Sequence, residues 1–303
     1  MTTELLETDD GASSLGATLT AAPSAVPTEV PTAVPTTESA EVRLRAQDVT
    51  IGYSDHPVSV NLSVEIPDDS FTVIVGPNAC GKSTLLRALS RLLKPSAGQV
   101  VLDGAAITSY RAKEVARRLG LLPQTSIAPD GITVADLVAR GRYPHQKMLR
   151  QWSVQDEAAV VRALAATQVE SLSGRLVDEL SGGQRQRVWV AMVLAQETPL
   201  LLLDEPTTFL DIAHQIELLE LFGDLNRSGH TLVAVLHDLN HACRYATHLI
   251  AMKDGVIVAQ GKPADIVTAE LVEDVFGLRC MIIDDPVSHT PLVIPLGRHG
   301  APS

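Results

Sequence analysis

The stretch "FTVIVGPNACGKSTLLRALSRLL", Phe71 to Leu93, limits what this chain can become more than any other. It starts as an apolar run, turns on glycines and a proline, and ends in leucines at helical spacing. A turn alone needs a single glycine. This loop places two glycines, a lysine and two hydroxyls between a buried strand and a helix. The segment "GPNACGKST" (Gly76, Pro77, Asn78, Ala79, Cys80, Gly81, Lys82, Ser83, Thr84) has the pattern of a phosphate-binding loop and its required context of strand before and helix after. Gly76 and Gly81 let the backbone come close and aim N–H groups at phosphate oxygens, and the helix adds its positive N-terminal end. Lys82 then meets the β- and γ-phosphates, while Ser83 offers a hydroxyl to Mg²⁺. The loop is read as the holder of a nucleoside triphosphate.

The remaining chain is ample for a core, with 303 residues of which 45% are hydrophobic. Charge is uneven. Residues 1–40 hold six acids (Glu4, Glu7, Asp9, Asp10, Glu29, Glu38) and no Lys or Arg, which is half of the net charge of −12. With its Ala, Pro, Thr and Ser content this segment reads as a disordered acidic tail, leaving 41–303 as the folded part. Its start lacks the basic and continuous apolar stretches of a secretory signal. No run of eighteen apolar residues suggests a membrane span. Cys80, Cys243 and Cys280 at unrelated spacings suggest neither disulfides nor zinc. The acidic balance argues against nucleic acid as a partner.

Periodicity orders the elements. Val42, Leu44, Ala46 and then Val58, Val60, Leu62, Val64 and Ile66 alternate, as half-buried antiparallel strands do. "FTVIV" loses the alternation, as expected of a strand covered on both faces. Leu85, Leu86, Leu89, Leu92 and Leu93 continue as one helix, and "KPSAGQVVLDG" returns to strands. From about Val134 to Leu180 the pattern is helical, and strands resume in "PLLLLDEP", "HTLVAVLHD", "HLIAMKDG" and "VIVAQG". An α/β core with a β-rich N-terminal layer and an inserted helical lobe follows.

Two further motifs carry chemistry. "LLLLDEP" delivers Asp204 and Glu205 at the C-terminal end of a buried strand, the edge where open α/β sheets bind ligands. Asp204 suits Mg²⁺, and Glu205 suits orienting or deprotonating an attacking water; a helix cap is the plainer alternative. "LSGGQ" (Leu180 to Gln184) opens a helix with Ser181 as N-cap, and Ser181, Gly182, Gly183 and Gln184 form a second potential anion site. In isolation it reads as a simple cap. Cys80, beside a helix start and Lys82, is expected either to be the most reactive of the three thiols or to be a small residue that merely fits.

The phosphate loop, "LSGGQ", "LLLLDEP" and His237 in "VLHD" together resemble the ATP-binding cassette family over essentially residues 42–303. The resemblance implies a RecA-like P-loop NTPase core with an N-terminal antiparallel β layer and a helical subdomain inserted at about 125–185. It also implies ATP and Mg²⁺ as ligands and a head-to-tail pair of chains. In that pair the loop of one chain and the signature of the other enclose each ATP. Tyr53 in "TIGYSD" matches the aromatic that stacks on adenine. Gln124 in "LLPQ" matches the glutamine that senses Mg²⁺ and the γ-phosphate. Asp211 in "TTFLD" matches the dimer-contact loop, and His237 the switch histidine. His56, His145 and His241 are left as surface or packing residues.

A single cassette without a span resembles an importer subunit that docks on a separate membrane permease, meeting a cargo-binding protein only indirectly. The implied place is the cytoplasmic face of a bacterial cell membrane. The segments "VADLVARGRYPH", "DEPTTFLDIAHQIELLELF", "VLHDLNHACRYATHLIAMKDG" and "DPVSHTPLVIPLG" resemble the ferric-siderophore branch, with vitamin B12 and haem importers as nearest relatives. Another cargo, or a soluble ATPase without a permease, are the alternatives. "NAC" inside the loop departs from the commoner small residues, and the tail has no family counterpart.

Overall fold

The structure, a computed structural model, describes residues 42–53, 56–124, 127–146 and 152–297. The tail expected at 1–40 lies outside the described residues. Strands β1 (Leu44–Tyr53) and β2 (His56–Ile66) pair antiparallel and bury one face. Val60 corrects the simple alternation. A register irregularity in the ladder, with Asn61 at φ +52°, turns Ser59 inward and leaves Val60 62% exposed. β3 (Phe71–Val75) is buried throughout, as its unbroken apolar run predicts. It leads through the glycine loop into α1 (Lys82–Leu89). That helix stops earlier than the leucine spacing suggests: Ser90 caps it, Arg91 takes φ +67°, and Leu92 is exposed.

β4 (Ala97–Leu102) and β5 (Ala105–Ala106) complete a sheet of order β2-β1-β4-β5. After α2 (Ala112–Val115) and β6 (Leu119–Leu122) come the helices α3 (Val134–Ala139), α4 (Val154–Ala166) and α5 (Gly182–Ala195). Then β7 (Leu200–Asp204), α6 (Ile212–Arg227), β8 (Thr231–Val235), α7 (Leu239–Tyr245), β9 (His248–Lys253) and β10 (Val256–Gly261) follow. The chain continues with α8 (Pro263–Ile266), α9 (Ala269–Phe276) and a hairpin of β11 (Cys280–Asp284) and β12 (Pro291–Pro295), which periodicity did not single out.

The second sheet has the order β10-β9-β3-β8-β7-β6, parallel except for β10. One core fills the space between β3, α1 and the antiparallel layer; the other lies beneath α5, α6 and the helical lobe, where Phe71 meets Phe222 edge to face. Because β3, β6, β7 and β8 run the same way, their C-terminal ends share one edge. That edge carries the glycine loop, Gln124, Asp204–Glu205 and His237. Among the described residues no helix is long and apolar enough to cross a membrane.

Candidate active site

A cleft of about 570 Å³ opens at this edge, lined among others by Tyr53, Lys82, Ser83, Gln124, Glu205 and His237. A larger hollow of 850 Å³ lies over the antiparallel layer, beside Asp48, Ser63 and Glu65. It gathers no converging cation, nucleophile or glycine loop, so the chemistry is placed in the smaller cleft.

The loop geometry explains its residues. At Gly76 a side chain would collide with the Met252 carbonyl, so the backbone closes here only with glycine. Lys82 begins α1 and is 5% exposed, its Nζ donating to Gly76 O at 2.9 Å and Pro77 O at 2.8 Å. An ammonium has three protons, so one N–H is left for a phosphate oxygen. Asn78, Ala79, Gly81, Ser83 and Thr84 also line the cleft.

Ser83 Oγ donates to Asp204 Oδ1 at 2.7 Å, joining the loop to the end of β7 across 121 residues of sequence. Asp204 is 2% exposed. Burial pushes its carboxyl above the ordinary value against the Ser83 hydrogen bond, and the neighbouring Glu205 carboxylate pushes the same way. Glu205 turns at φ +53°, with Oε1 2.8 Å from His237 Nε2 and Oε2 accepting from Thr208 Oγ1 at 3.4 Å. Its carboxylate is thereby held between His237 and Thr208 at the cleft wall.

Tyr53 is half exposed at the cleft wall, with its hydroxyl accepting from Arg87 Nη1 at 2.8 Å. Gln124 is exposed at the end of β6. Of the two expectations for Cys80, the structure favours the residue that merely fits: it is 4% exposed and packs in the core beneath the loop. Burial pushes its thiol up, outweighing the pull of Lys82. Its side chain does not line the cleft.

The other expected residues are not brought to this cleft. Ser181 caps α5, its Oγ accepting from Gln184 N at 3.3 Å while Gln184 Oε1 accepts from Ser181 N at 3.1 Å. Gly182 lines a separate hollow with Gln124, Trp189, Thr208 and Phe209. Neither Ser181, Gly182, Gly183 nor Gln184 lines this cleft. Asp211 caps α6, accepting from His214 N at 3.0 Å, and that bond, with the His214 ring, holds its exposed carboxyl below the usual range.

Motif reading missed Arg87, Thr208 and Gln186. Arg87 holds Tyr53 from 34 residues away, and Gln186 Nε2 donates to Pro206 O at 2.9 Å. Thr208, three residues after Glu205, was the most accessible of these, because a hydroxyl at that spacing can return to the carboxylate.

Comparison with known proteins follows the same geometry. The sequence profile of the family described as ABC transporter matches residues 60–208. The chain is 64% identical over 263 residues to the ferric enterobactin transport ATP-binding protein FepC of Escherichia coli, covering 86% of this chain and 97% of that protein. It is 53% identical to the probable siderophore transport system ATP-binding protein YusV of Bacillus subtilis, covering 84% and 93%. Among solved structures, a dimeric post-hydrolysis cassette bound to ADP and Pi superposes with a TM-score of 0.65 at 27% identity, covering 72% of this chain and 98% of that one.

Proposed function

The chain belongs to the ATP-binding cassette family of transporter ATPases, and from that premise we propose that it is the motor subunit of a ferric-siderophore importer. It binds and hydrolyses ATP, works as a pair of chains, and drives uptake through separate permease subunits at the cytoplasmic face of the membrane. The observation that carries the cargo is its 64% identity to the ferric enterobactin subunit along nearly the whole of that protein.

Each residue then has a task. Loop N–H groups and the remaining Lys82 proton hold the β- and γ-phosphates, and Tyr53, steadied by Arg87, stacks on the adenine. Ser83, Asp204 and Gln124 present hydroxyl, carboxylate and amide oxygens, a hard all-oxygen set that suits Mg²⁺. When bound, Mg²⁺ would neutralise charge on the phosphates. Glu205 orients the attacking water and takes up its proton; His237, 2.8 Å away, fixes that carboxylate beside the position of the γ-phosphate.

The signature residues Ser181, Gly182, Gly183 and Gln184 lie away from their own chain's cleft, which supports a head-to-tail pair in which they cover the partner's γ-phosphate. Asp211 sits in the loop that meets the partner. Binding closes the pair and hydrolysis reopens it, so access alternates across the permease without this chain touching the cargo.

Deleting the gene should impair growth under iron limitation and abolish uptake of at least one labelled ferric siderophore, with growth restored by iron supplementation. Normal uptake of every ferric siderophore tested, in a strain with no second such subunit, would move the cargo to cobalamin or haem.

A further inference from the structure

The loop after Glu205 is gripped by two helices. From α6, Gln215 Nε2 donates to Thr207 O at 3.3 Å and to Leu210 O at 3.0 Å. From α5, Gln186 Nε2 donates to Pro206 O at 2.9 Å, one residue beyond the carboxylate. The start of α5 also packs on this loop. A Cβ built on Gly183 would lie 3.2 Å from Leu210 Cδ2, and one on Gly182 would lie 3.4 Å from Phe209 Cβ. Two backbone turns of positive φ, at Glu205 (+53°) and Phe209 (+66°), frame the segment so held. A carboxylate in that conformation keeps its aim only while the carbonyls around it are held.

We propose that Gln186 is a positioning residue that ties this chain's own signature helix to this chain's own Glu205, so that engagement of the signature by the partner's triphosphate sets the aim of Glu205 in the opposite site. The proposal rests on the head-to-tail pairing inferred above. Its physical content is short. Ser181 to Gln184 begin the helix that faces the partner's nucleotide, and Gln186 is the first residue beyond them whose side chain reaches the Glu205 loop. Helices move as rigid units and close-packed interfaces transmit small shifts, so a pull on the N-terminus of α5 reaches Pro206 through this hydrogen bond and through the glycine contacts on Phe209 and Leu210. One occupied site thereby readies the other.

The test uses full-length chains carrying two different tags, purified as mixed dimers and assayed for ATP hydrolysis. The reference pairs a wild-type chain with a Glu205→Gln chain, which leaves one working base. Placing Gln186→Met in the chain that keeps Glu205 should lower the rate on the order of tenfold with little change in KM for ATP, the effect of one lost hydrogen bond. Placing it in the Glu205→Gln chain should leave the reference rate unchanged. A Gln186 that merely props up the signature would give the opposite pattern, because the signature serving the working site belongs to the Glu205→Gln chain. Loss confined to that second arrangement, or equal loss in both, overturns the proposal. Gln186→Glu keeps the shape but removes the donor; it should repeat the pattern if the methionine variant does not fold. Mixing Lys82→Ala with Ser181→Arg chains reads the pairing separately. Without regained hydrolysis there, the pairing fails; with it, a wrong pattern above is a failure of Gln186 alone.

Discussion

Glu205 occupies a backbone conformation that a non-glycine residue seldom adopts, and it is held there by His237, Thr208 and the turn that follows. Glu205→Gln keeps the shape and removes the proton acceptor. ATP binding should persist, hydrolysis should fall by about a hundredfold or more, and the ATP-bound pair should accumulate in size-exclusion chromatography. A variant hydrolysing at the wild-type rate would remove Glu205 from this role. Cys80 gives a second expectation at this scale. Its thiol is buried and pushed up, so alkylation of the native protein at neutral pH should be slow and leave hydrolysis intact, with labelling appearing only after unfolding. Rapid labelling slowed by MgATP would restore the reactive thiol that the loop sequence suggested. These two residues show what the sequence makes legible. Lys82, Ser83, Asp204 and Glu205 are recognisable because their chemistry is written in contiguous motifs. The state of Cys80 is decided by packing against Gly76 and the core beneath, which no neighbour in the chain reports. Gln186 was illegible for a related reason: a lone glutamine on a helix has no local signature, and its partner lies 20 residues away.

Among the elements, most core strands were legible as apolar runs, while their order in the sheet, β6, and local ends and registers were not. The bulge near Asn61 and the early stop of α1 both come from left-handed backbone at single residues, which periodicity averages away. The lobe is held by something periodicity cannot show at all. Arg142, in the 3-10 segment Arg140–His145, is 5% exposed. Its Nε meets Asp156 Oδ1 at 2.8 Å near the start of α4; its Nη1 meets Ala195 O and Glu197 Oε2 at 2.8 Å, at the end of α5. One guanidinium thus fastens two lobe helices to the approach of β7. Arg142→Met leaves Asp156 a buried carboxylate without its cation, while Glu197 stays half exposed and keeps Arg162. The expected cost is about 3 kcal/mol, read by chemical denaturation. The pH dependence follows. Burial alone would raise the Asp156 carboxyl, but Ser153 and Arg142 together hold it below its ordinary 3.8. A depressed native value means stability that is present above 3.8 and lost as the pH falls through the native value. In the variant the unpaired carboxylate protonates first, so the stability gap should be full at neutral pH and close under acid. A gap independent of pH would assign the effect to the lost packing of the Arg142 side chain instead.

For the whole molecule, the decisive feature is that phosphate loop and signature belong to different hollows of one chain. The cleft carries Lys82, Ser83, Glu205 and His237, whereas the α5 start opens beside Thr208 and Phe209. This helix N-terminus, with two glycines and an exposed capping serine, packs on its own chain's Glu205 loop and also offers N–H groups and positive potential to an anion that its own cleft does not bring to it. In the proposed pairing of two chains about a twofold axis, each signature would cover the other's γ-phosphate and both sites would form together. The arrangement has a consequence that no single-chain site shares. Lys82→Ala disables the loop and Ser181→Arg blocks the signature with a bulky cation, so each variant alone has a lesion in both composite sites. In a mixed pair both lesions fall on the same site, and the other is assembled from two intact halves. Mixing the two inactive chains at high concentration should therefore restore hydrolysis, up to about a quarter of the wild-type rate if pairing is random and the intact site turns over independently. Coupling between the sites would lower that figure without abolishing the gain. If each chain instead carried a complete site, every site in the mixture would hold a lesion and no mixing ratio would recover activity.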